Sequence, residues 1–224
     1  MTAREDDGTE RWSRMIDRPS VVDANEDLVT CADGGELLYL DPATGDLIER
    51  VSVGEAGEPI EHLAVAPDAC YAVIGDTDEE LVAVTHDGPV PAWRVEVPGV
   101  ESPPHVTGGV VTVQTARTPA PGSRRTALRV FDSSDGESMM ERAPADAPPI
   151  VGEEGIYTYD SSSCEAVALA YDGTTRWRSP LPDSHCDAET PRPHLFPDRV
   201  VYRAGETGIV GFRRRRGTRR GIFL

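Results

Sequence analysis

The strongest constraint on the fold of this chain is an internal repeat that occurs five times. Each unit opens at a proline and continues with short apolar runs separated by turn residues; the prolines are Pro19, Pro59, Pro104, Pro149 and Pro193. Successive prolines are 40, 45, 45 and 44 residues apart. A period of about 40 to 50 residues is typical of one four-stranded blade of a β-propeller. The period therefore predicts an all-β chain of four-stranded antiparallel propeller blades.

The runs inside each unit indicate β-strands. The first run is rich in β-branched and aromatic residues, as in DLVTCA, ACYAVIG, GVVTVQTA, GIYTYD and DRVVYRA. The second run breaks at a glycine after polar turn residues, and these glycines are Gly45, Gly88, Gly136, Gly173 and Gly217. We expect a positive φ at such glycines, because a Cβ would clash there. No long segment has the apolar spacing of a helix, so we predict almost no helix.

A further copy of the closing strand precedes the first full unit. In DGTERW, Gly8 stands four residues before Trp12, as Gly173 stands four before Trp177. We predict one propeller domain over residues 1–224, with a leading closing strand at 7–14 and blades near 15–54, 55–98, 99–143, 144–183 and 184–224. The first strand is surplus if the fifth unit closes itself, so we expect an incomplete or irregularly closed ring.

The ends of the strands carry a family resemblance. An apolar strand ends in Asp, a turn with Thr-Gly or Asp-Gly follows, and Trp comes next, as in YLDPATGDLIE, AYDGTTRW and DGTERW. This pattern resembles the pyrroloquinoline-quinone-like (PQQ-like) propeller repeats. That family includes quinoprotein alcohol dehydrogenases and the propeller subunit of the bacterial outer-membrane assembly machine. The resemblance extends from residue 7 to about residue 217.

The resemblance implies that the recurring tryptophan docks between neighbouring blades. That position is occupied by Trp12, Trp93 and Trp177. The matching positions of the other units hold Glu49, Met140 and Gly221. The spacing also varies, since Gly88 stands five residues before Trp93. A buried indole fills core volume and needs one partner for its N–H, so we expect these tryptophans and the turn glycines, Gly8 included, to be structural.

The resemblance also names an enzymatic chemistry that the sequence does not support. The family's enzymes bind a quinone and a cation such as Ca²⁺, use a catalytic carboxylate, and carry two adjacent cysteines near the cofactor. Here no two cysteines are adjacent and none has zinc-site spacing; they are Cys31, Cys70, Cys164 and Cys186. We therefore predict no catalytic residue, no metal site and no cofactor. Cys31 and Cys70 lie in apolar runs and are expected to be buried small hydrophobic residues.

The net charge of the chain indicates the kind of medium in which the protein works. There are 39 acidic and 22 basic residues, a net charge of −17, and every basic residue is Arg. Such self-repulsion suits a medium in which concentrated salt screens it, so the composition favours a halophile-like proteome. An acidic protein from a GC-rich mesophile is the open alternative. The acidic body opposes binding to nucleic acid.

The C-terminal segment is the basic exception. Residues 213–216, 219 and 220 are all Arg, and no acidic residue follows Glu206. An arginine cluster can bind phosphates or nucleic acid. The interpretation we favour is that an acidic blade end has been replaced here by an altered terminus.

The remaining expectations from the sequence concern the location and the function of the protein. The N-terminus lacks the basic and apolar regions of a signal peptide, and no segment is long and apolar enough for a membrane span. We expect a cytoplasmic protein, or an extracytoplasmic one if a signal has been lost upstream. The predicted function is a non-catalytic interaction or scaffolding module that binds protein partners through its rim loops. The alternatives are a quinone-dependent oxidoreductase and a sensor domain cut from a larger polypeptide.

Overall fold

The computed structural model describes an all-β chain. Its backbone is described over residues 1–16, 19–88, 90–120, 123–142, 149–182, 192–204, 208–214 and 219–223. These residues form five four-stranded antiparallel sheets and one two-stranded hairpin. Each sheet is a meander of consecutive strands, which is the arrangement of a propeller blade. The predicted all-β propeller class is confirmed.

The first compact unit comprises residues 1–106 together with the turn 133–136. Its hairpin consists of β1 (Thr2–Arg4) and β2 (Glu10–Ser13). The first sheet consists of β3 (Pro19–Ala24), β4 (Val29–Asp33), β5 (Glu36–Leu40) and β6 (Leu47–Ser52). The second sheet consists of β7 (Ile60–Val65), β8 (Ala69–Ile74), β9 (Glu80–Thr85) and β10 (Trp93–Glu96).

The second compact unit comprises residues 107–132 and 137–224. The third sheet, which begins just before it, consists of β11 (His105–Thr107), β12 (Val110–Ala120), β13 (Ser123–Asp132) and β14 (Ser138–Arg142). The fourth consists of β15 (Ile150–Gly152), β16 (Gly155–Asp160), β17 (Glu165–Leu169) and β18 (Thr175–Pro180). The fifth consists of β19 (Arg192–Phe196), β20 (Arg199–Ala204), β21 (Gly208–Arg213) and β22 (Arg219–Phe223).

The middle strands of the sheets form the core. All six residues of β8, ACYAVI, are buried, whereas the outer strand β6 is mostly exposed. A strand that is covered on both faces reads as a continuous apolar run, which is why these strands were recognisable in the sequence. Each repeat proline lies at or just before the first strand of its sheet, where a missing backbone N–H removes little from the ladder.

Most of the predicted turn glycines have the expected backbone conformation. Gly8, Gly45, Gly136 and Gly173 have φ between 73° and 85°. Gly88 does not have a positive φ, so the expectation is wrong there. The reason is the longer connection from β9 to β10, whose turn closes differently: the Gly88 amide donates to the carbonyl of Thr85 at 3.1 Å. Gly217 lies outside the described residues.

The leading segment is a hairpin. β2 pairs with β1 in an antiparallel register that places Trp12 opposite Ala3. The predicted closing strand at 7–14 contains β2, and it pairs with a third-strand equivalent at residues 2–4, which is too short to show a periodic pattern in the sequence. Within the part of the chain that the structure describes, no helix is long and apolar enough to cross a membrane.

Candidate functional site

The indole of Trp12 sits on the turn between β5 and β6. Its Nε1 donates a hydrogen bond to the carbonyl of Pro42 at 3.0 Å, and the residue is buried. Asp41 shapes this turn, because its carboxylate accepts hydrogen bonds from the amides of Ala43 and Thr44 at 2.7 and 2.9 Å. The strand-terminal Asp noted in the sequence is thus a turn cap whose carboxylate is already satisfied by backbone donors.

The other two tryptophans make the equivalent contact. Nε1 of Trp93 donates to the carbonyl of Ser133 at 3.1 Å, and Nε1 of Trp177 donates to the carbonyl of Arg214 at 2.7 Å. In all three cases the acceptor lies just after the third strand of a sheet, one residue after it for Ser133 and Arg214 and two residues after it for Pro42. Each indole also has its single donor satisfied, which leaves the ring as apolar filler.

The turn glycines provide the space for these rings. A Cβ on Gly136 would lie 2.7 Å from Cε3 of Trp93, and a Cβ on Gly45 would lie 2.5 Å from Cδ2 of Trp12. Gly8 has the same left-handed backbone, but no heavy atom lies within 4 Å of its ideal Cβ. The requirement for glycine thus has two separable causes, the positive φ and the covering indole.

The positions that lack tryptophan differ from one another. Met140 takes the place of the indole over Gly173, with Sδ 2.9 Å from the ideal Cβ of that glycine. Glu49 lies in β6 and stands opposite Tyr39 of β5. Gly221 lies in β22.

The residue opposite the docking position varies with it. Ala stands opposite Trp in three register pairs, which are Ala3 with Trp12, Ala83 with Trp93 and Ala168 with Trp177. Val130 stands opposite Met140, and Tyr39 stands opposite Glu49. Where the docking residue on the fourth strand is smaller than Trp, the residue opposite it on the third strand is larger than Ala. The two side chains of each pair therefore keep a similar total volume near the turn. The sequence contained this signal, but it appears only when the strands are aligned in register.

A buried polar cluster in the first unit was also missed. The Cys70 thiol lies 3.3 Å from the hydroxyl of Thr30 and 3.6 Å from Nε2 of His86, and the ring of Tyr39 meets that of His86 edge-on. A cysteine beside a histidine is an arrangement found in nucleophilic sites, where the histidine acts as the base. Here, however, burial raises the pKa of the Cys70 thiol, because the charged thiolate is poorly solvated. The cluster therefore holds a neutral thiol and is a packed, hydrogen-bonded part of the core.

Cys70 and Cys31 are both buried free thiols, as the sequence indicated. Cys164 is different, because it is disulfide-bonded. The fourth cysteine, Cys186, lies outside the described residues.

A quinone–calcium centre would require a site for the cation. Such a cation takes six to eight oxygen ligands. Among the residues that the structure describes, no group of three or more His, Cys, Asp or Glu side chains is placed to hold a metal ion. Carboxylates make local contacts, as where the half-buried Asp160 pairs with Arg178 at 2.9 Å.

The start of the arginine-rich tail is partly used within its own unit. Arg214 donates to the carbonyl of Pro197 at 3.0 Å and to the hydroxyl of Tyr157 at 3.4 Å, while Arg213 is exposed. Arg214 also supplies the carbonyl that accepts the indole N–H of Trp177. Arg214 is thus a structural element of the fifth sheet's turn, and residues 215–218 lie outside the described part.

Comparisons with known proteins agree with this geometry. A family model described as outer membrane protein assembly factor BamB matches residues 2–220. BamB from Moraxella catarrhalis is similar in structure, with 16% identity and a TM-score of 0.54 over 96% of this chain and 65% of that chain. Quinohemoprotein alcohol dehydrogenase ADHIIG from Pseudomonas putida HK5 is similar at 14% identity and a TM-score of 0.50, over 95% of this chain and 43% of that one.

These structural likenesses show the fold alone, and this chain spans less than two thirds of either solved structure. A comparison with curated protein sequences finds no significant match. The predicted resemblance to PQQ-like propellers is confirmed by the family match over residues 2–220, and this chain belongs to the BamB-like family of PQQ-repeat β-propeller proteins.

Proposed function

We propose that this chain is a non-catalytic propeller module that binds a partner protein through the loops at one end of its sheets. The observation that carries the proposal is membership of a family described as an assembly factor, because an assembly factor works through contacts with other proteins. The regular positions of the repeat are occupied by turn caps and docked side chains. Recognition is therefore left to the loops, which the repeat does not specify.

In the first unit, two loops stand out as binding surfaces. Antiparallel pairing places the β6–β7 and β8–β9 loops at the same end of the second sheet, because β7 and β9 both begin there. The β6–β7 loop carries Glu55 and Glu58, and the β8–β9 loop carries the exposed residues Asp76 and Asp78. This end therefore presents carboxylates suited to a basic partner surface.

Both loops are held in one conformation by hydrogen bonds. The amide of Gly57 donates to the carbonyl of Gly34 at 3.0 Å, and the amide of Glu55 donates to the Glu58 carboxylate at 2.8 Å. Across the other loop, the Glu79 carboxylate accepts the amides of Gly99 and Val100. Ordered loops lose little conformational entropy on binding, which favours a recognition role.

A photo-crosslinking residue tests the proposed surface. It should be placed at Asp76, and at Asp87 as a matched exposed position at the opposite end of the same sheet. In host cells we expect one partner of defined mass to be crosslinked from position 76 and not from position 87. The purified partner should then bind the chain, and Asp76→Asn with Asp78→Asn should weaken binding at least tenfold. Equal crosslinking from both positions would contradict the proposal.

The enzymatic alternative has its own test. Purified protein should be mixed with pyrroloquinoline quinone and Ca²⁺ while absorbance and melting temperature are recorded. We expect neither quantity to change, because the described carboxylates do not converge. A saturable absorbance change with a raised melting temperature would favour the quinone-dependent oxidoreductase instead.

The disulfide at Cys164 bears on location. Disulfides persist in oxidising compartments and are rare in a reducing cytoplasm. We therefore propose that the protein works outside the cytoplasm, the alternative that the sequence left open. Fractionation of cells followed by immunoblotting would test this, and recovery in the cytoplasmic fraction alone would contradict it. A salt-loaded medium, which the charge of −17 favours, is a part of the same proposal.

A further inference from the structure

Polar side chains meet between the first and second sheets, where other parts of the repeat have a docked tryptophan. The docking position of the first sheet holds Glu49, and Tyr39 stands opposite it. The ring of Tyr39 meets the ring of His86 edge-on, with the two centroids 6.0 Å apart. His86 is the first residue after β9. Its counterparts Ser133 and Arg214 supply the carbonyl that accepts an indole N–H. The side chain of His86 thus takes part where an indole is absent.

Cys70 and His86 have the separation found between two ligands of one tetrahedral ion. The distance from Sγ of Cys70 to Nε2 of His86 is 3.6 Å. Zn²⁺ binds a thiolate sulfur at about 2.3 Å and an imidazole nitrogen at about 2.0–2.1 Å. At a tetrahedral angle, these bond lengths place the sulfur and the nitrogen about 3.6 Å apart. The two side chains are therefore already spaced as a bound Zn²⁺ requires.

Tyr39 provides a second, independent observation. Its hydroxyl is buried and makes no hydrogen bond of normal geometry. Burial raises the pKa of Tyr39, and the adjacent Cys70 raises it further, which places the phenol beside that thiol. A buried polar group without a partner is destabilising, and a bound ion is one of the few things that explain it. The Tyr39 oxygen is thus available as a third ligand.

The charges of the cluster balance when a divalent ion is bound. A thiol that coordinates a metal ion loses its proton, and metal binding releases protons to the solvent. Zn²⁺ with the Cys70 thiolate, the Tyr39 phenolate and the neutral His86 imidazole carries no net charge, and two protons are released, one from Sγ and one from the phenol. A neutral complex suits a buried position, because an uncompensated charge there is costly.

We propose that Cys70, His86 and Tyr39 bind a Zn²⁺ ion. The Thr30 hydroxyl, 3.3 Å from Sγ of Cys70, is the nearest further oxygen. The ion links the second sheet to β4 and β5 of the first sheet and so replaces the docked indole as a tie between them. His86 is half-buried, which gives the ion a path from solvent. The site is structural and does not depend on the proposed partner surface.

The sequence predicted no metal site because its ligands are not spaced as a motif. Cys70 and His86 are 16 residues apart and lie in different elements. The third ligand comes from another sheet and is a hydroxyl. This is consistent with the described residues, in which no three His, Cys, Asp or Glu side chains converge on a metal position.

The test is a titration of the full, chelator-treated chain with Co²⁺, which reports its ligands by absorbance. It should be done in KCl at which circular dichroism shows the fold intact, with excess Mg²⁺ to occupy surface carboxylates, the ligands that Mg²⁺ prefers. We expect one equivalent of Co²⁺ to give a sulfur-to-cobalt charge-transfer band and the visible absorption of a tetrahedral ion. One equivalent of Zn²⁺ should remove both. Weak absorption of an octahedral ion, without the charge-transfer band, would overturn the proposal.

A matched pair of cysteine variants locates the site. Cys70→Ser should abolish the charge-transfer band, and His86→Asn should weaken Zn²⁺ binding at least about tenfold. Cys31 is the other buried free thiol of this compact unit. Cys31→Ser should therefore bind Zn²⁺ within about twofold of the parent. Equal losses in the Cys31 and Cys70 variants would overturn the proposal.

Tyr39→Phe separates a metal site from a core that is held by hydrogen bonds alone, and it stays informative if Cys70→Ser fails to fold. Without metal, the variant loses only an unsatisfied hydroxyl, so its melting temperature should equal or exceed that of the parent. With Zn²⁺, its affinity should be at least about tenfold lower, and the rise in melting temperature on adding Zn²⁺ should be smaller. Equal Zn²⁺ affinity of Tyr39→Phe and the parent would overturn the three-ligand site.

Discussion

The ring of Trp12 covers Gly45 so closely that a Cβ on this glycine would lie 2.5 Å from Cδ2 of the indole. Trp12 belongs to the leading hairpin, whereas Gly45 lies in the turn between β5 and β6 of the first sheet. The same relationship links Trp93 to Gly136. Each of these glycines thus has a left-handed backbone conformation and also packs directly against an indole ring.

Replacing Gly45 with Ala tests this double requirement. The left-handed backbone costs a residue with a Cβ about 1–2 kcal/mol, and overpacking against a buried ring adds about 1–3 kcal/mol. We expect a loss of about 2–5 kcal/mol in the free energy of unfolding, measured by denaturant titration.

Gly57 is the matched control for Gly45. Its φ is +90° and nothing lies within 4 Å of its ideal Cβ. Gly57→Ala should therefore cost about 1–2 kcal/mol, the conformational part alone. If the two substitutions cost the same, the indole does not press on Gly45.

Part of this arrangement could be predicted from the sequence. The proline period and the apolar middle strands gave the number of sheets, because strands buried on both faces leave continuous apolar runs. The first strands of the third and fourth sheets, β11 and β15, were not recognised, since HVT and IVG are too short to show a pattern. The predicted positive φ at Gly88 was wrong because this glycine lies in a longer loop that has a different backbone conformation.

The relation between the sizes of paired residues on the third and fourth strands could not be predicted without the register. Tyr39 and Glu49, or Val130 and Met140, are about ten residues apart in sequence, and only strand pairing makes each a unit. The Cys70 cluster depends on contacts between two sheets, which a repeat period does not encode. The loop surfaces and the greater length of β12 and β13 are likewise departures from the repeat.

Exchanging Val130 and Met140 for the Ala–Trp pair tests the volume relationship. Met140→Trp alone should overpack against Val130, and Val130→Ala alone should leave a cavity, each costing about 1–3 kcal/mol. The double variant should recover the arrangement seen at Ala83 and Trp93. A double-mutant cycle should therefore give a favourable coupling of at least about 1 kcal/mol.

Val113 provides the control for that cycle. It is buried in the same sheet but stands opposite Arg129, away from Met140. Val113→Ala combined with Met140→Trp should be additive within about 0.5 kcal/mol. Additivity in the Val130 cycle as well would mean that the two residues do not share a volume.

Reduction of the disulfide at Cys164 should lower stability. A native disulfide contributes about 2–4 kcal/mol in the chain-entropy account, because it restricts the unfolded chain. We expect dithiothreitol to lower the melting temperature of the parent and to leave that of Cys164→Ser unchanged. Mass spectrometry after alkylation under denaturing, non-reducing conditions should find two modified thiols, those of Cys31 and Cys70. Four modified thiols would exclude the bond.

Asp160 should contribute a distinct acid dependence. Hydrogen bonds from Ser162 and Arg178 lower the pKa of its carboxyl to about 2, below about 3.9 in an unfolded chain. The ionised form is favoured by folding, so this contribution is present above about pH 4 and is lost as the pH falls through about 2. Carboxyl ¹³C NMR titration should show the low pKa, and Ser162→Ala should raise it. A titration of Asp160 at its ordinary value would contradict the observed contacts.

The last prediction is that folding requires concentrated salt. With a net charge of −17, the acidic surface repels itself. Several acidic side chains, such as Glu26, Asp76 and Asp78, are exposed. Salt shortens the Debye length from about 30 Å at 0.01 M to about 3 Å at 1 M, so it should remove most of this repulsion. We expect the melting temperature to rise steeply between low and molar KCl.

Two comparisons separate the causes of that rise. Neutralising Glu26, Asp76 and Asp78 together, to Gln, Asn and Asn, should raise the melting temperature at low salt and flatten its dependence on KCl, because less repulsion is left to screen. At molar concentrations, where screening is complete, potassium sulfate should stabilise the parent more than KCl, because sulfate is excluded from the protein surface and strengthens apolar burial. A melting temperature indifferent to salt in both the parent and the neutralised variant would mean that surface repulsion does not limit this fold, and the halophile-like setting would lose its support.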